Sequence, residues 1–151
     1  MRVVEGAEWF RVTAWGDGVT RIEEPAVNPL LSANIWHVRG RDRDLVVDSG
    51  LGVAPLRAAL PWMFENDPVL VLTHAHLDHM GGAHEFDDCR VHPTELAEVR
   101  EPGPSSLYTV PLLRSLGLLD SVPAGEELPE LLIRALPSAH YEPKSYGLAA
   151  A

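Results

Sequence analysis

Three histidines and an aspartate fall within six positions of the chain, as His74, His76, Asp78 and His79. Imidazole nitrogen and carboxylate oxygen are the usual ligands of zinc and related divalent metals. The four follow directly on an apolar run, Val69-Leu70-Val71-Leu72, with the composition of a buried strand. Side chains two apart on an extended backbone project to the same side, so His74 and His76 form one pair of donors. If the chain turns after His76, Asp78 and His79 face a second position beside the first. Gly81-Gly82 then permits a tight turn close to the site, leading into a helix. A lone histidine is more often a surface or core residue than a ligand. The spacing H-x-H-x-D-H after an apolar strand points instead to a metal site in a strand–loop–helix context.

Several elements must position this cluster. Trp9 to Trp15 and Val19 to Ile22 flank Gly16-Asp17-Gly18, the pattern of a β-hairpin. Ala33 to Val38 and Asp44 to Asp48 predict a second hairpin across residues 39–43. Asp48-Ser49-Gly50-Leu51-Gly52 closes that hairpin, and Val53 to Leu60 predicts a short helix. Asp48 is open to two readings: a turn-former, or a carboxylate that orients a ligand histidine from behind. Pro61 to Pro68 is a connection. After the metal strand, residues 82–86 predict a short helix, Cys89 to His92 a strand, and Pro93 to Arg100 a helix with Pro93 in its first turn. His37, His84 and His92 have no ligand partner nearby in sequence and read as structural, His84 being the one nearest the motif. Beyond the breaker cluster 101–106, Tyr108 to Leu119 could form an amphipathic helix and Glu127 to Leu136 a weaker one.

A length of 151 residues suits one domain, able to bury roughly 70% of its unfolded surface. The net charge of −10 argues against a nucleic-acid groove, and the acidic pairs at 23–24, 87–88 and 126–127 read as solvated surface. Cys89 is the only cysteine, which excludes an intrachain disulfide and suggests a reducing compartment. It reads as a buried structural thiol rather than a nucleophile. Met1 to Gly6 lacks the apolar core of a signal peptide, and no apolar run approaches membrane-spanning length. The expectation is a soluble, cytoplasmic protein with a small-molecule substrate and no membrane or nucleic-acid partner. Oligomeric state is left open by the sequence.

Thr73-His74-Ala75-His76-Leu77-Asp78-His79-Met80-Gly81-Gly82 resembles the signature of the metallo-β-lactamase-fold hydrolases. That superfamily includes hydroxyacylglutathione hydrolases, lactonases, β-lactamases and tRNA-processing nucleases. Val46-Val47-Asp48-Ser49-Gly50 is similar to its other N-terminal motif, a strand ending in Asp-x-Gly, and the order of elements matches over residues 9–100. The resemblance implies an α/β (α+β) fold, an αββα sandwich, represented here by its N-terminal part. Residues 1–151 would be one partial domain, with sheet and metal motif in 1–100 and a variable helical or loop insertion in 101–151.

The same resemblance implies that His74 and His76 bind one metal and Asp78 and His79 a second, with Asp48 supporting them. Diiron relatives carry a glutamate at the position of His76. Zinc, two ions per intact site, is therefore the expected cofactor, with manganese or iron as alternatives. Family members add a third histidine in a Gly-His-x-x-Gly frame, a bridging aspartate and a last histidine on later strands. After residue 100 the one histidine is His140, outside any such frame, and it reads as a surface residue. The implied chemistry is attack by metal-bound hydroxide on an ester-type substrate, a thioester or lactone. Asp78 would be the catalytic residue that holds the water and protonates the leaving group. Two alternatives stand beside it. One is a catalytically incomplete half-domain that binds metal weakly or serves as a structural or interaction fragment. The other is a phosphodiesterase of the same fold, set behind by the acidic charge.

Overall fold

Aromatic and β-branched residues on either side of Gly16-Asp17-Gly18 form the first hairpin, β1 (Arg11–Gly16) and β2 (Val19–Glu23). Gly16, Asp17 and Gly18 all take positive φ, the left-handed conformation that a tight reversal requires. The second hairpin, β3 (Ile35–Val38) and β4 (Leu45–Val47), is antiparallel as expected. The computed structural model describes residues 9–27, 29–103, 106 and 144–145. The expected helices at 108–119 and 127–136, and His140, lie outside the described residues.

From β4 onward the strands run parallel: β5 (Val69–Leu72) beside β4, β6 (Asp88–Val91) beside β5, and the two-residue β7 (Lys144–Ser145) beside β6. Among the described residues the sheet has seven strands in sequential order. Parallel neighbours need crossovers, and these carry short helices: α1 (Leu56–Ala59) between β4 and β5, and α2 (Leu77–Met80) between β5 and β6. The third, α3 (Leu96–Arg100), follows β6.

Alternation along the strands sends Ile22, Ile35, Val46, Leu70, Leu72, Cys89 and Val91 to one face, where they are buried. Leu56, Leu60, Met63, Met80, Phe86 and Val99 from the crossovers complete that core. Leu31, Leu51 and Leu77 form a second small cluster. Cys89 is buried, as expected of a structural thiol.

The helices are shorter than the sequence suggests. Pro55 caps α1, so only four residues of the expected 53–60 segment are helical, and residues 61–64 are a 3₁₀ turn. Residues 93–95 form a turn, and α3 starts at Leu96. Gly81-Gly82 forms a turn as expected, with negative φ at both, and leads into a 3₁₀ helix at Ala83–Glu85. These glycines are needed for close packing. A Cβ on Gly81 would overlap the Leu51 carbonyl, and one on Gly82 would lie 2.6 Å from the Ser49 carbonyl oxygen.

Candidate metal centre

The C-terminal ends of parallel strands are where α/β sheets place their ligand sites, and the histidine motif leaves the sheet there. β5 ends at Leu72; residues 73–76 form a bent loop, and α2 begins at Leu77. The beginning of that helix carries Asp78 and His79 back toward His74 and His76. The His74 ring centroid lies 4.5 Å from that of His76 and 4.1 Å from that of His79. His79 Nε2 is 3.4 Å from Asp78 Oδ2. All four residues named from the sequence therefore meet at one end of the sheet.

Asp48 stands behind them. It follows β4 with φ +60°, a conformation that aspartate tolerates better than most residues and that turns its carboxylate toward the loop. Its Oδ1 accepts Thr73 N–H at 2.8 Å, and the Thr73 hydroxyl lies 2.9–3.0 Å from both carboxylate oxygens. Its Oδ2 accepts His79 Nδ1–H at 2.8 Å. The Thr73 hydroxyl, donating to Asp48, is free to accept His74 Nδ1–H at 3.0 Å. One carboxylate thus orders two imidazoles, one directly and one through a hydroxyl. In both, Nδ1 is the nitrogen so engaged, which leaves Nε2 as the one a metal could take once it carries no proton.

Helix α2 is locked onto the Asp48–Leu51 loop by backbone bonds. Ser49 N–H donates to His79 O at 2.7 Å and Gly81 N–H to Gly50 O at 2.8 Å; the Ser49 hydroxyl also reaches His79 O at 2.9 Å. Two further carboxylates, which sequence reasoning missed, hold this scaffold. Glu24, 1% exposed, accepts Leu51 N–H and Trp9 Nε1–H, each at 2.9 Å. Glu95 accepts Ala75 N–H at 3.0 Å. Both act on backbone amides more than fifteen residues away, a relation with no local sequence signal. His37, read as structural, is buried and bonded to Asp44 at 2.8 Å, far along β3 from the motif. His84 is exposed and bonds Gly81 O, and His92 bonds the Thr94 hydroxyl.

The electrostatics divide the histidines. Burial pushes His79 down, but its bonds to Asp48 and Asp78 and their charges outweigh that and raise it to about 9. His74 is lowered, first by burial and then by the positive charges of His79 and His76. Burial raises Glu24, against its two hydrogen bonds.

Whether this donor set suits a cation is answered by Asp78. Its Oδ1 is buried and has no hydrogen-bond partner, an arrangement that is costly for a carboxylate unless a positive charge faces it. His79 Nε2 stands 3.4 Å from its other oxygen, and the His74 and His76 rings lie close by. The set fits a divalent metal. Among the described residues, however, no group of three or more His, Cys, Asp or Glu side chains is arranged to hold one ion.

A mixed sheet whose parallel strand runs out into H-x-H-x-D-H, backed by an Asp-x-Gly loop, defines a class. The chain belongs to the metallo-beta-lactamase superfamily, whose family model matches residues 28–134. It is 42% identical over 99 residues to the acyl-coenzyme A thioesterase MBLAC2 of Gallus gallus, a match covering 60% of this chain. It is 36% identical over 100 residues to the Homo sapiens protein of the same name, covering 58% of this chain. The chain spans 36% of the length of these curated relatives. Among solved structures it is similar to a metallo-beta-lactamase from Pontibacter korlensis, with a TM-score of 0.51, 19% identity, and coverage of 62% of this chain and 48% of that one. This likeness shows the fold, over about half of that chain. Divalent metal binding is a property the fold implies. Among the described residues no helix is long and apolar enough to cross a membrane.

Proposed function

We propose that this chain carries part of the site of a metal-dependent hydrolase acting on a thioester, with His74 and His76 as ligands of one zinc ion and Asp78 and His79 of a second. The observation that carries the reading is the buried, unpartnered Asp78 Oδ1 beside three converging imidazoles. Zinc bound there supplies Lewis acidity and makes water available as a nucleophile near neutral pH. The chain's own residues do the rest. Asp48 and Thr73 hold the imidazoles in one tautomer. Asp78 accepts a proton of the attacking water, and the same carboxyl returns it to the departing thiolate, so that thioester and water become acid and thiol.

The thioester is favoured over a lactone by the relatives, which are named acyl-coenzyme A thioesterases. The domain division expected from the sequence, 1–100 for sheet and motif and 101–151 for a variable segment, belongs to this proposal. So does a reducing compartment such as the cytoplasm, which suits a single, buried cysteine, Cys89.

A second reading has its own support. Two donors per ion is fewer than the three protein ligands zinc sites normally use, and no described group supplies a third. On that reading the chain binds metal weakly and does not turn over substrate alone. Metal content separates the two: about two equivalents retained by the purified chain favours the hydrolase, near zero the incomplete site. Hydrolysis assays with an acyl-CoA thioester, a lactone and a phosphodiester then test the chemistry. Thioester hydrolysis that survives His76→Ala would remove the assigned role.

A further inference from the structure

Thr73 and Ala75 are two apart, so in a continuing strand their N–H groups would point to the same neighbouring strand. Thr73 N–H points to the β4 side, where Asp48 accepts it at 2.8 Å. Ala75 N–H points the opposite way: its acceptor at 3.0 Å is Glu95, from the segment after β6. The backbone therefore rolls over between these two residues, and His74 sits on the roll. Ala75 is 1% exposed, so solvent does not serve its amide. A buried N–H without an acceptor is costly, so the loop keeps this turn only while the acceptor is present. Glu95 is itself held: its N–H donates to His92 O and its carbonyl accepts Val99 N–H, each at 2.9 Å.

We propose that Glu95 is a positioning residue of the metal loop, fixing through Ala75 N–H the angle at which His74 and His76 are presented together. The inference rests on the reading of those histidines as ligands. Asp48 grips the loop ahead of the pair from one side of β5, and Glu95 grips it within the pair from the other. With one grip removed, residues 74–76 swing about the Asp48 anchor and the two imidazoles lose their common aim. Groups that orient ligands in this way change metal affinity by about 10- to 100-fold when removed.

Two variants test it. Glu95→Gln keeps an acceptor oxygen; Glu95→Met keeps length and volume but offers no comparable acceptor. The readouts are hydrogen exchange at the Ala75 amide in the metal-free chain, and titration with cobalt(II) followed by its visible absorption. The Met variant is expected to speed Ala75 exchange at least tenfold and to weaken cobalt binding by about 10- to 100-fold, with an altered band shape. The Gln variant is expected to restore both. Equal exchange and equal cobalt affinity in wild type and Met variant would overturn the proposal, and so would a Gln variant as impaired as Met. If the Met variant does not fold, the wild-type amide decides: protection like that of the β5 amides supports the grip, and exchange like an exposed loop overturns it. A wild-type chain that gives no cobalt band overturns the ligand reading. Amide exchange still tests the Glu95 grip in that case.

Discussion

His79 is the side chain in which two carboxylates of the site meet, Asp48 at Nδ1 and Asp78 at Nε2. Their combined pull, raising it to about 9, means the metal-free chain holds an imidazolium there at neutral pH. A cation must displace that proton. The apparent affinity for zinc or cobalt is therefore expected to rise with pH by about tenfold per unit and level off near 9, with proton release measurable in an unbuffered titration. Without metal the sign runs the other way. The folded value lies above the ordinary histidine value of 6.5, so the stabilisation is fully present below 6.5 and is lost as pH rises through about 9. Denaturant midpoints of the metal-free chain should fall across that window by no more than about 3 kcal/mol in stability. A flat profile would show that the two carboxylates do not hold His79 as described.

Asp48 gives a second test at this scale. Asp48→Ala strips the acceptor from Thr73 N–H and from His79 Nδ1–H together. Unfolding measurements should show a loss of about 2–4 kcal/mol, and cobalt affinity should drop at least tenfold. Residues of this kind were only partly legible in the sequence. The proposed ligand set stood out because its members are adjacent and chemically distinctive. Asp48 could be noticed because it ends a strand just before the motif. Glu24 and Glu95 could not, since a carboxylate that accepts a distant backbone amide leaves no pattern beyond a glutamate at an element's end.

Among the elements, the join between α2 and the Asp48–Leu51 loop matters most to the site. Ser49 and Gly81 amides tie the two together, and Gly81 lies so close to the Leu51 carbonyl that a methyl group would displace one or the other. Gly81→Ala should destabilise the chain by about 1–3 kcal/mol or more, because overpacking here cannot be relieved by a flexible side chain. It should weaken metal binding as well, since Asp78 and His79 ride on the displaced helix. Urea denaturation and cobalt titration read the two effects, and unchanged values in both would mean that the join is looser than the geometry indicates. The hairpins were readable because aromatic and β-branched runs around Gly-Asp-Gly satisfy turn and strand rules locally. The helices at 53–60 and 93–100 were overestimated and α2 was not anticipated, because a helix of four or five residues takes its stability from packing on the core, which helical periodicity cannot report. The glycine pair was readable as a turn but its close packing was not, since close approach and a turn ask for the same residue.

Across the whole molecule the parallel part of the sheet has two polar ends with different tasks. The C-terminal ends of β4 and β5 carry the donors, while the other end is tied by charge. Arg43 bridges Asp67 at 2.8 Å and Asp88 at 2.9 Å, and Arg90 adds a second bond to Asp88. Arg90 and then Arg43 hold the Asp88 carboxyl far below the usual carboxylate range. A depressed carboxylate stabilises the fold above its unfolded value near 3.9, and that contribution disappears as pH falls through the folded value. Arg43→Met removes two of the bonds but leaves the half-exposed Arg90 pair, and screening by solvent at Arg43 reduces the loss. The expected destabilisation at pH 7 is about 1–2 kcal/mol, or roughly 2–8 °C in Tm. Cobalt affinity should stay within about twofold of wild type, because substitutions at distant sites with no shared partners act independently. If Arg43→Met weakened cobalt binding as strongly as Asp48→Ala, the two ends of the sheet would be coupled, and the division of labour drawn from their hydrogen bonds would be wrong.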